Sequence, residues 1–250
     1  MELVIIGSGT GALRAERGPS GYVLLVANQM WLLDGGSGTL RKCLEVGLSY
    51  RDFDKVFYTH LHPDHTIDLV PLLFATKHTP GFKREKSLEL YGPVGFKRFF
   101  ETLIALYGTG ITDVEYDLSV RELSEEHFQS ERVAISTRHM QHSRHAIGYR
   151  FEYEGKALVY SGDTDYCEAI IELAHGADVL VLECSFPDRM KVPGHLTPSE
   201  AGRIAATAEV KKLVLTHFYE PCDQEEIVEA CRRHFTGEVV KAEDLMRVKV

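Results

Sequence analysis

Three histidines and one aspartate are concentrated in the segment Tyr58–His65, which reads Tyr-Thr-His-Leu-His-Pro-Asp-His. His60, His62 and His65 supply imidazoles, and Asp64 supplies a carboxylate. Imidazole nitrogens and carboxylate oxygens are common ligands of divalent transition metals. Imidazoles packed this closely either share a cation or lower one another's pKa. The segment therefore predicts a metal site.

A strand-like run at 55–58 leads into this segment and positions its first two histidines. If the chain is still extended at His60, the two-residue period of a strand directs His60 and His62 to the same side, so both can bind one cation. Pro63 holds His62 in extended geometry, and a helix begins only after the proline. Side chains beyond Pro63 therefore point in another direction.

The change of direction at the proline separates the other two side chains from the first pair. Asp64 is placed to cap a helix over about 66–74, since aspartate is a preferred N-cap residue. His65 is then directed toward a second cation close to the first.

Length and composition limit the range of folds and partners. The chain has 250 residues and 44% hydrophobic content, which suits a single α/β domain over 1–250. A formal net charge of −9 argues against general binding of nucleic acid phosphates. The five cysteines form no C-x-x-C pair, and the amino-terminal run is too short and lacks the basic residues of a signal peptide. We expect a cytoplasmic protein without membrane contact.

Strand and helix patterns vary along the chain. The glycine-rich segment 7–12 fits the dinucleotide fingerprint G-x-G-x-x-A, but a strand follows where that fingerprint needs a helix, so we interpret it as a turn on the floor of a site. Two strands at 22–27 and 30–34 predict a hairpin. Further short strands are expected at 120–123, 132–138, 147–153 and 156–160. Because the final third then alternates helices and strands, the patterns predict an α/β fold, a four-layer αββα sandwich.

Three more candidate ligands lie where predicted strands begin or end. His142 precedes the strand at 147–153, Asp163 follows the strand at 156–160, and His217 closes the run 212–217. Together with the first cluster they bring the total to five imidazoles and two carboxylates. That set is enough for two cations that share one carboxylate and keep open positions for water.

These motifs resemble the five ligand motifs of the metallo-β-lactamase superfamily. The likeness rests on His60-x-His62-x-Asp64-His65, on His142, on Asp163 within Ser-Gly-Asp-Thr, and on His217 within Leu-Thr-His-Phe. Within the superfamily the chain is most similar to the ribonuclease Z branch of tRNA 3′-end-processing endonucleases. The segments that also resemble this branch are 7–11, 34–39, 148–150 and 195–201. The resemblance covers nearly the full length and implies a metal-dependent hydrolase.

Two departures from this branch bear on the substrate. In bacterial ribonuclease Z, a long arm that clamps tRNA is inserted between the Gly-Tyr-Arg and Ser-Gly-Asp-Thr motifs. Here only residues 151–160 separate those motifs. The branch also has a His-Glu-Ala-Thr motif, and this chain has Leu182-Glu183-Cys184-Ser185, which keeps only the glutamate. Both departures leave the hydrolytic residues in place and disfavour tRNA as the substrate.

The resemblance implies a metal-binding role for seven residues. One metal ion would be held by His60, His62 and His142, the other by Asp64, His65 and His217, and Asp163 would bridge them. Zinc is the expected metal for both positions, with manganese or iron(II) as alternatives, because nitrogen and oxygen ligands suit all three.

Proton transfer at the metal pair would involve further side chains. The pair would activate a bridging hydroxide, and Asp64 would orient the attacking water and accept its proton. His195 is not needed as a ligand, so it is free to stabilise the transition state or protonate the leaving oxygen, while Glu183 would fix its tautomer. Arg144 and His145 could contact an anionic substrate, but we interpret both as solvated loop residues.

Three functions remain open from the sequence. A phosphodiesterase or nuclease acting on a small-molecule or nucleotide phosphodiester is favoured by His195 and Glu183. A hydrolase of carboxylic esters, thioesters or lactones needs the metal pair but not that histidine and glutamate. A non-hydrolytic di-iron or metal-binding protein is the third, although di-iron relatives usually have glutamate at position 62 and an added flavodoxin domain. The sequence is compatible with a homodimer and does not determine the oligomeric state.

Overall fold

The computed structural model describes residues 1–250 and contains two seven-stranded β-sheets. The strands of the first sheet are β1 Glu2–Gly7, β2 Gly21–Val26, β3 Gln29–Gly35, β4 Phe53–Phe57, β5 Leu88–Pro93, β6 Leu118–Leu123 and β14 Arg247–Lys249. Their spatial order is β14-β1-β2-β3-β4-β5-β6. The strands from β3 to β6 run parallel, so their carboxyl ends lie at one edge of the sheet.

The second sheet follows the first in the chain, apart from β14. Its strands are β7 His127–Ser130, β8 Val133–His139, β9 Ile147–Tyr153, β10 Lys156–Tyr160, β11 Val179–Glu183, β12 Lys212–Thr216 and β13 Glu238–Lys241. The spatial order is β13-β12-β11-β10-β9-β8-β7. The strands from β10 to β13 are parallel, and the rest of the sheet is antiparallel.

Seven α-helices connect these strands. They are α1 Thr39–Glu45, α2 Pro63–Thr66, α3 Leu69–His78, α4 Phe96–Tyr107, α5 Glu168–Ala174, α6 Pro198–Thr207 and α7 Ile227–Arg232. Short 3₁₀ turns lie at Tyr50–Asp52, Thr109–Ile111, Asp188–Met190 and Glu220–Asp223. The longest helix has 12 residues, and no helix could cross a bilayer.

Strand β1 shows how the layers are built. Its side chains alternate between faces: Leu3 and Ile5 join the large apolar cluster between the sheets, whereas Val4 and Ile6 join a second cluster under α1, α3 and α4. Residues of α5, α6 and α7 pack on the other side of the second sheet. The predicted four-layer αββα sandwich is therefore confirmed.

Two turns agree with the sequence patterns. The hairpin predicted from strands at 22–27 and 30–34 is present, with its turn one residue earlier at Ala27 and Asn28, both with positive φ. Strands β9 and β10 are joined by Glu154 and Gly155, with φ of 52° and 74°, which is the two-residue connection that matches the twist of paired strands. A turn of this length leaves no insertion between β9 and β10.

The helix expected over 66–74 is wrong in its bounds. A first helical turn, α2, begins at Pro63, because proline is well accommodated at the first position of a helix, and α3 then starts at Leu69. Asp64 caps neither helix. The carboxylate of Asp68 instead accepts hydrogen bonds from the backbone N–H groups of Gly38 and Leu40. The side chain of Asp64 is therefore available to the site described below.

Candidate metal centre

The predicted ligands lie at one edge of the sandwich, beyond the carboxyl ends of parallel strands. This edge is the usual location of sites in α/β folds. The segment after β4 is fixed between the two sheets: Tyr149 Oη donates to the carbonyl of Tyr58 at 2.8 Å, and the N–H of Ile147 donates to the carbonyl of Thr59 at 2.9 Å. The loop that carries the histidine cluster is thus held to β9 as well as to its own strand.

The first group of converging side chains comprises His60, His62, His142 and Asp163, whose ligand atoms lie within 4.8 Å of one another. The Nδ1 atom of His62 is 3.0 Å from His60 Nε2 and 3.2 Å from His142 Nε2. His60 and His62 therefore face the same point, as the extended geometry before Pro63 predicts.

The second group comprises Asp64, His65 and His217, again with ligand atoms within 4.8 Å. Asp163 lies between the two groups. Its Oδ1 is 3.4 Å from both His65 Nε2 and His217 Nε2, and its Oδ2 is 3.8 Å from His60 Nε2 and 3.7 Å from His142 Nε2. Each carboxylate oxygen of Asp163 thus faces a different group.

Three atoms at the centre of this arrangement are buried without a hydrogen-bond partner. They are His65 Nε2, His217 Nε2 and Asp163 Oδ1. Buried polar atoms in folded proteins are nearly always satisfied, so a cluster of orphaned atoms indicates a missing partner. A divalent cation accepts electron pairs from imidazole nitrogen and carboxylate oxygen, and the donor set fits it.

The opposite nitrogen of several histidines is held by the surrounding protein. His142 Nδ1 donates to the carbonyl of Gly194 at 2.9 Å, and His217 Nδ1 is 2.9 Å from Ser185 Oγ. His60 Nδ1 lies 3.1 Å from Thr59 Oγ1. Such bonds fix the tautomer and leave the other nitrogen to face the cluster, as in most metal-binding histidines.

The crowding of these groups shifts their pKa values. Burial lowers the pKa of His60 well below its usual value, and the neighbouring His65 adds to this shift. Burial alone would raise the pKa of Asp163, but the imidazoles of His217 and His65 outweigh it and hold this pKa well below its normal range. For Asp64, burial again opposes ionisation, but the neighbouring imidazoles of His217 and His65 hold its pKa below the usual value. Both carboxylates are thus anionic, the form that binds metals.

Asp34, at the end of β3, is a functional residue that the sequence reasoning missed. It is fully buried and adopts φ of 52°. Its Oδ2 accepts hydrogen bonds from His65 Nδ1 at 2.8 Å, from Tyr160 Oη at 2.7 Å and from Thr59 Oγ1 at 2.8 Å. Its place in an Asp-Gly-Gly-Ser-Gly turn after a strand was the available signal. Asp34 orients a ligand histidine and the loop before it.

We expect Asp34→Asn to destabilise the metal-free protein by about 3 kcal/mol, because the charge that balances a buried hydrogen-bonded cluster is lost. Metal affinity should fall by about 10–100-fold, since His65 loses the partner that orients it. Urea unfolding of the metal-free protein and metal titration measure the two effects. The matched control is Asp113→Asn, at a largely exposed carboxylate, which should change stability by less than about 0.5 kcal/mol. Equal stability of Asp34→Asn and the control would contradict this role.

His195 and Glu183 form a pair beside the second group. His195 Nδ1 is 2.9 Å from Glu183 Oε1, and the same carboxylate accepts from the backbone N–H groups of Thr164 at 2.9 Å and Leu196 at 3.0 Å. The ligand atom of His195 lies within 4.8 Å of those of Asp163 and His217. Burial opposes the charged form of His195, but the hydrogen bond and charge of Glu183 raise its pKa. The imidazole is held at Nδ1 and can carry a proton at Nε2.

Glycines bring the backbone close to Asp64. A Cβ atom at Gly36 would lie 2.2 Å from the Asp64 carbonyl oxygen, and one at Gly11 would lie 3.4 Å from Asp64 Cγ. No helix follows the segment 7–12 until α1, which agrees with its interpretation as a turn at the floor of a site. The segment therefore lacks the helix that the dinucleotide fingerprint requires directly after its glycines.

Known proteins resemble this chain over most of its length. A family model described as a β-lactamase superfamily domain matches residues 37–218. A ribonuclease Z of Brevibacillus brevis is 30% identical over 87% of this chain and 85% of its own. The metallo-β-lactamase fold protein YhfI from Bacillus subtilis is 25% identical, with a TM-score of 0.84 over 99% of this chain and 98% of its own. The short form of human tRNase Z is 26% identical, with a TM-score of 0.81 over 100% of this chain and 99% of its own chain.

Proposed function

Because the chain belongs to the metallo-β-lactamase superfamily, we propose that it hydrolyses phosphodiester bonds with two divalent metal ions, zinc being the expected metal. It is a metal-dependent hydrolase similar to ribonuclease Z. His60, His62 and His142 would hold one ion, Asp64, His65 and His217 the other, and Asp163 would contact both. The support for two ions is the position of Asp163, with one oxygen toward each group.

A pair of divalent cations supplies an activated water nucleophile at neutral pH and positive charge that stabilises the transition state. Asp64 would orient the attacking water and accept its proton. Its side chain is 18% exposed, whereas that of Asp163 is 4% exposed, so a water can reach Asp64. Its lowered pKa keeps it ionised and ready to accept a hydrogen bond.

The observation that carries the phosphodiesterase assignment is the His195–Glu183 pair. Glu183 Oε1 accepts from His195 Nδ1–H, which leaves Nε2 as the nitrogen that faces the ligand groups. The raised pKa of His195 favours a proton at Nε2, where it would be donated to the leaving oxygen. An alkoxide leaving group needs such a donor, whereas hydrolysis of activated esters does not.

The substrate that we propose is a nucleotide or small-molecule phosphodiester, a class supported by the ribonuclease Z relatives. Precursor tRNA should be a poor substrate. The two-residue turn between β9 and β10 leaves no clamping arm, and a net charge of −9 gives no general attraction for RNA.

The test is a comparison of bis(p-nitrophenyl) phosphate, p-nitrophenyl acetate and precursor tRNA with the zinc-loaded protein. We expect metal-dependent turnover of the phosphodiester, a chelator-sensitive rate, and little trimming of tRNA at physiological salt. A larger acceleration over the uncatalysed reaction for the carboxylic ester than for the phosphodiester would contradict the proposed reaction. Site-specific tRNA cleavage would contradict only the substrate.

The cellular setting and the oligomeric state are separate proposals. All five cysteines are free, and four of them are buried, which supports a reducing compartment such as the cytoplasm. The homodimer stays a prediction, which size-exclusion chromatography with light scattering would test.

A further inference from the structure

A small cavity of about 220 Å³ adjoins the first ligand group. One wall is formed by His60, Leu61 and His62, and a second by Pro93 and Val94 at the end of β5. The third wall is the loop 143–145, which directly follows the ligand candidate His142. The cavity therefore opens beside the position where a scissile phosphate would meet the metal ions.

The loop side of this cavity carries hydrogen-bond donors without partners. Ser143, Arg144 and His145 have no side-chain hydrogen bond or ion pair within the protein. Arg144 is exposed, in agreement with its interpretation as a solvated loop residue, yet it lines a cavity with Ser143, His145 and two ligand histidines. An arginine without a carboxylate partner keeps its donors for a ligand.

The charge of the cavity is unlike that of the whole molecule. The chain has 37 acidic residues, but none of them lines this cavity. Glu122, which pairs with Gly92 across β5 and β6, is occupied by the N–H groups of Gly95 and Lys97. The guanidinium, hydroxyl and imidazole groups match an anion, and the planar fork of an arginine is suited to two oxygens of a phosphate.

We propose that this cavity binds a second, terminal phosphate of the substrate, with Arg144 as its main contact. The inference rests on the proposed function, because it places the scissile phosphodiester at the ligand groups and the terminal phosphate next to it. The volume is below the range of about 300–1,000 Å³ for complete small-molecule sites, so it suits a phosphate with part of its sugar. Arg144 thereby selects substrates and takes no part in bond breaking.

Three matched dinucleotides test this site: thymidylyl-thymidine without a terminal phosphate, with a 5′-phosphate, and with a 3′-phosphate. We expect one of the phosphorylated forms to bind about tenfold more tightly than the plain form, as a charge-assisted hydrogen bond allows. Arg144→Gln should remove this advantage and leave the plain dinucleotide unaffected. Arg233→Gln is the control, since Arg233 follows α7 and does not line this cavity. Calorimetric dissociation constants and KM provide the readouts.

The outcomes separate this site from the proposed reaction. If the dinucleotides bind as expected but none is cleaved, the phosphate site stands and the proposed hydrolysis is wrong. If they are cleaved but a terminal phosphate brings no advantage, or the advantage survives Arg144→Gln, the phosphate site is wrong and the hydrolase remains. If Arg233→Gln also loses the tighter binding of the phosphorylated dinucleotide, the effect is one of general charge, and the proposed phosphate site is wrong.

Discussion

His195→Ala should reduce the turnover of an unactivated phosphodiester by about a hundredfold to ten-thousandfold, the range that general-acid catalysis contributes. An alkoxide leaves poorly without a proton, and His195 Nε2 is the donor that we propose. With p-nitrophenolate as the leaving group the loss should be much smaller, because this anion leaves without protonation. The measurement is kcat for two phosphodiesters that differ only in the leaving group.

The metal content of His195→Ala distinguishes proton donation by His195 from a role as a metal ligand. The ligand atom of His195 also lies within 4.8 Å of those of Asp163 and His217, so a ligand role is geometrically open. We expect His195→Ala to keep the wild-type metal content and to match the exposed-histidine control His175→Ala in this respect. A variant that loses metal would make His195 a ligand. Unchanged turnover on every substrate would remove the main support for the phosphodiesterase.

Glu183→Gln should reproduce part of the His195→Ala defect. The amide cannot accept from His195 Nδ1, from Thr164 and from Leu196 all at once as the carboxylate does, so the imidazole is less well oriented. Because these bonds also hold the loops, unfolding by urea must be measured beside kcat. A kinetic defect that follows stability alone, without dependence on the leaving group, would make Glu183 purely structural.

Asp163→Asn should have the second large effect, a fall in metal content from two ions per chain to one or fewer, with activity at background. The asparagine keeps the shape but loses the charge and one acceptor oxygen between the two groups. His65→Ala and His217→Ala should each remove the ion of the second group. Elemental analysis after reconstitution with zinc is the direct measurement.

The control for the metal experiment is His127→Ala, at an exposed histidine on β7. It should retain two ions and full activity. A wild-type protein that never exceeds one ion after reconstitution, with His65→Ala and His217→Ala at the same value, would contradict the two-metal proposal. The arrangement would then be a single site in which the second group only orients water.

The sequence alone was sufficient for the local features of this protein. The period of two before Pro63 predicted that His60 and His62 face the same way, and their facing nitrogens are 3.0 Å apart. The patterns at 156–160 and 212–217 predicted strands β10 and β12, and Asp163 and His217 lie just beyond the ends of these strands. Such signals are readable because side-chain direction in a strand depends only on neighbouring residues.

Pairing between distant segments was decided by the tertiary structure. Strand β14 follows β13 after only five residues, 242–246, yet it pairs with β1 in the first sheet and not with β13. Asp34 and His65 are 31 residues apart, and nothing in the intervening sequence indicates their 2.8 Å contact. The cavity at Arg144 likewise exists only because β5 ends opposite the loop 143–145.

The physical reason for this division is the range of the forces involved. Turn residues, strand alternation and the restriction before a proline act within a few positions, so the sequence determined the histidine cluster, the hairpins and the order of the elements. Burial and hydrogen bonding act between whichever groups the packed sheets bring together. Only the tertiary structure could therefore decide that Asp34 orients His65, and that Arg144 is left without a partner beside the ligand groups.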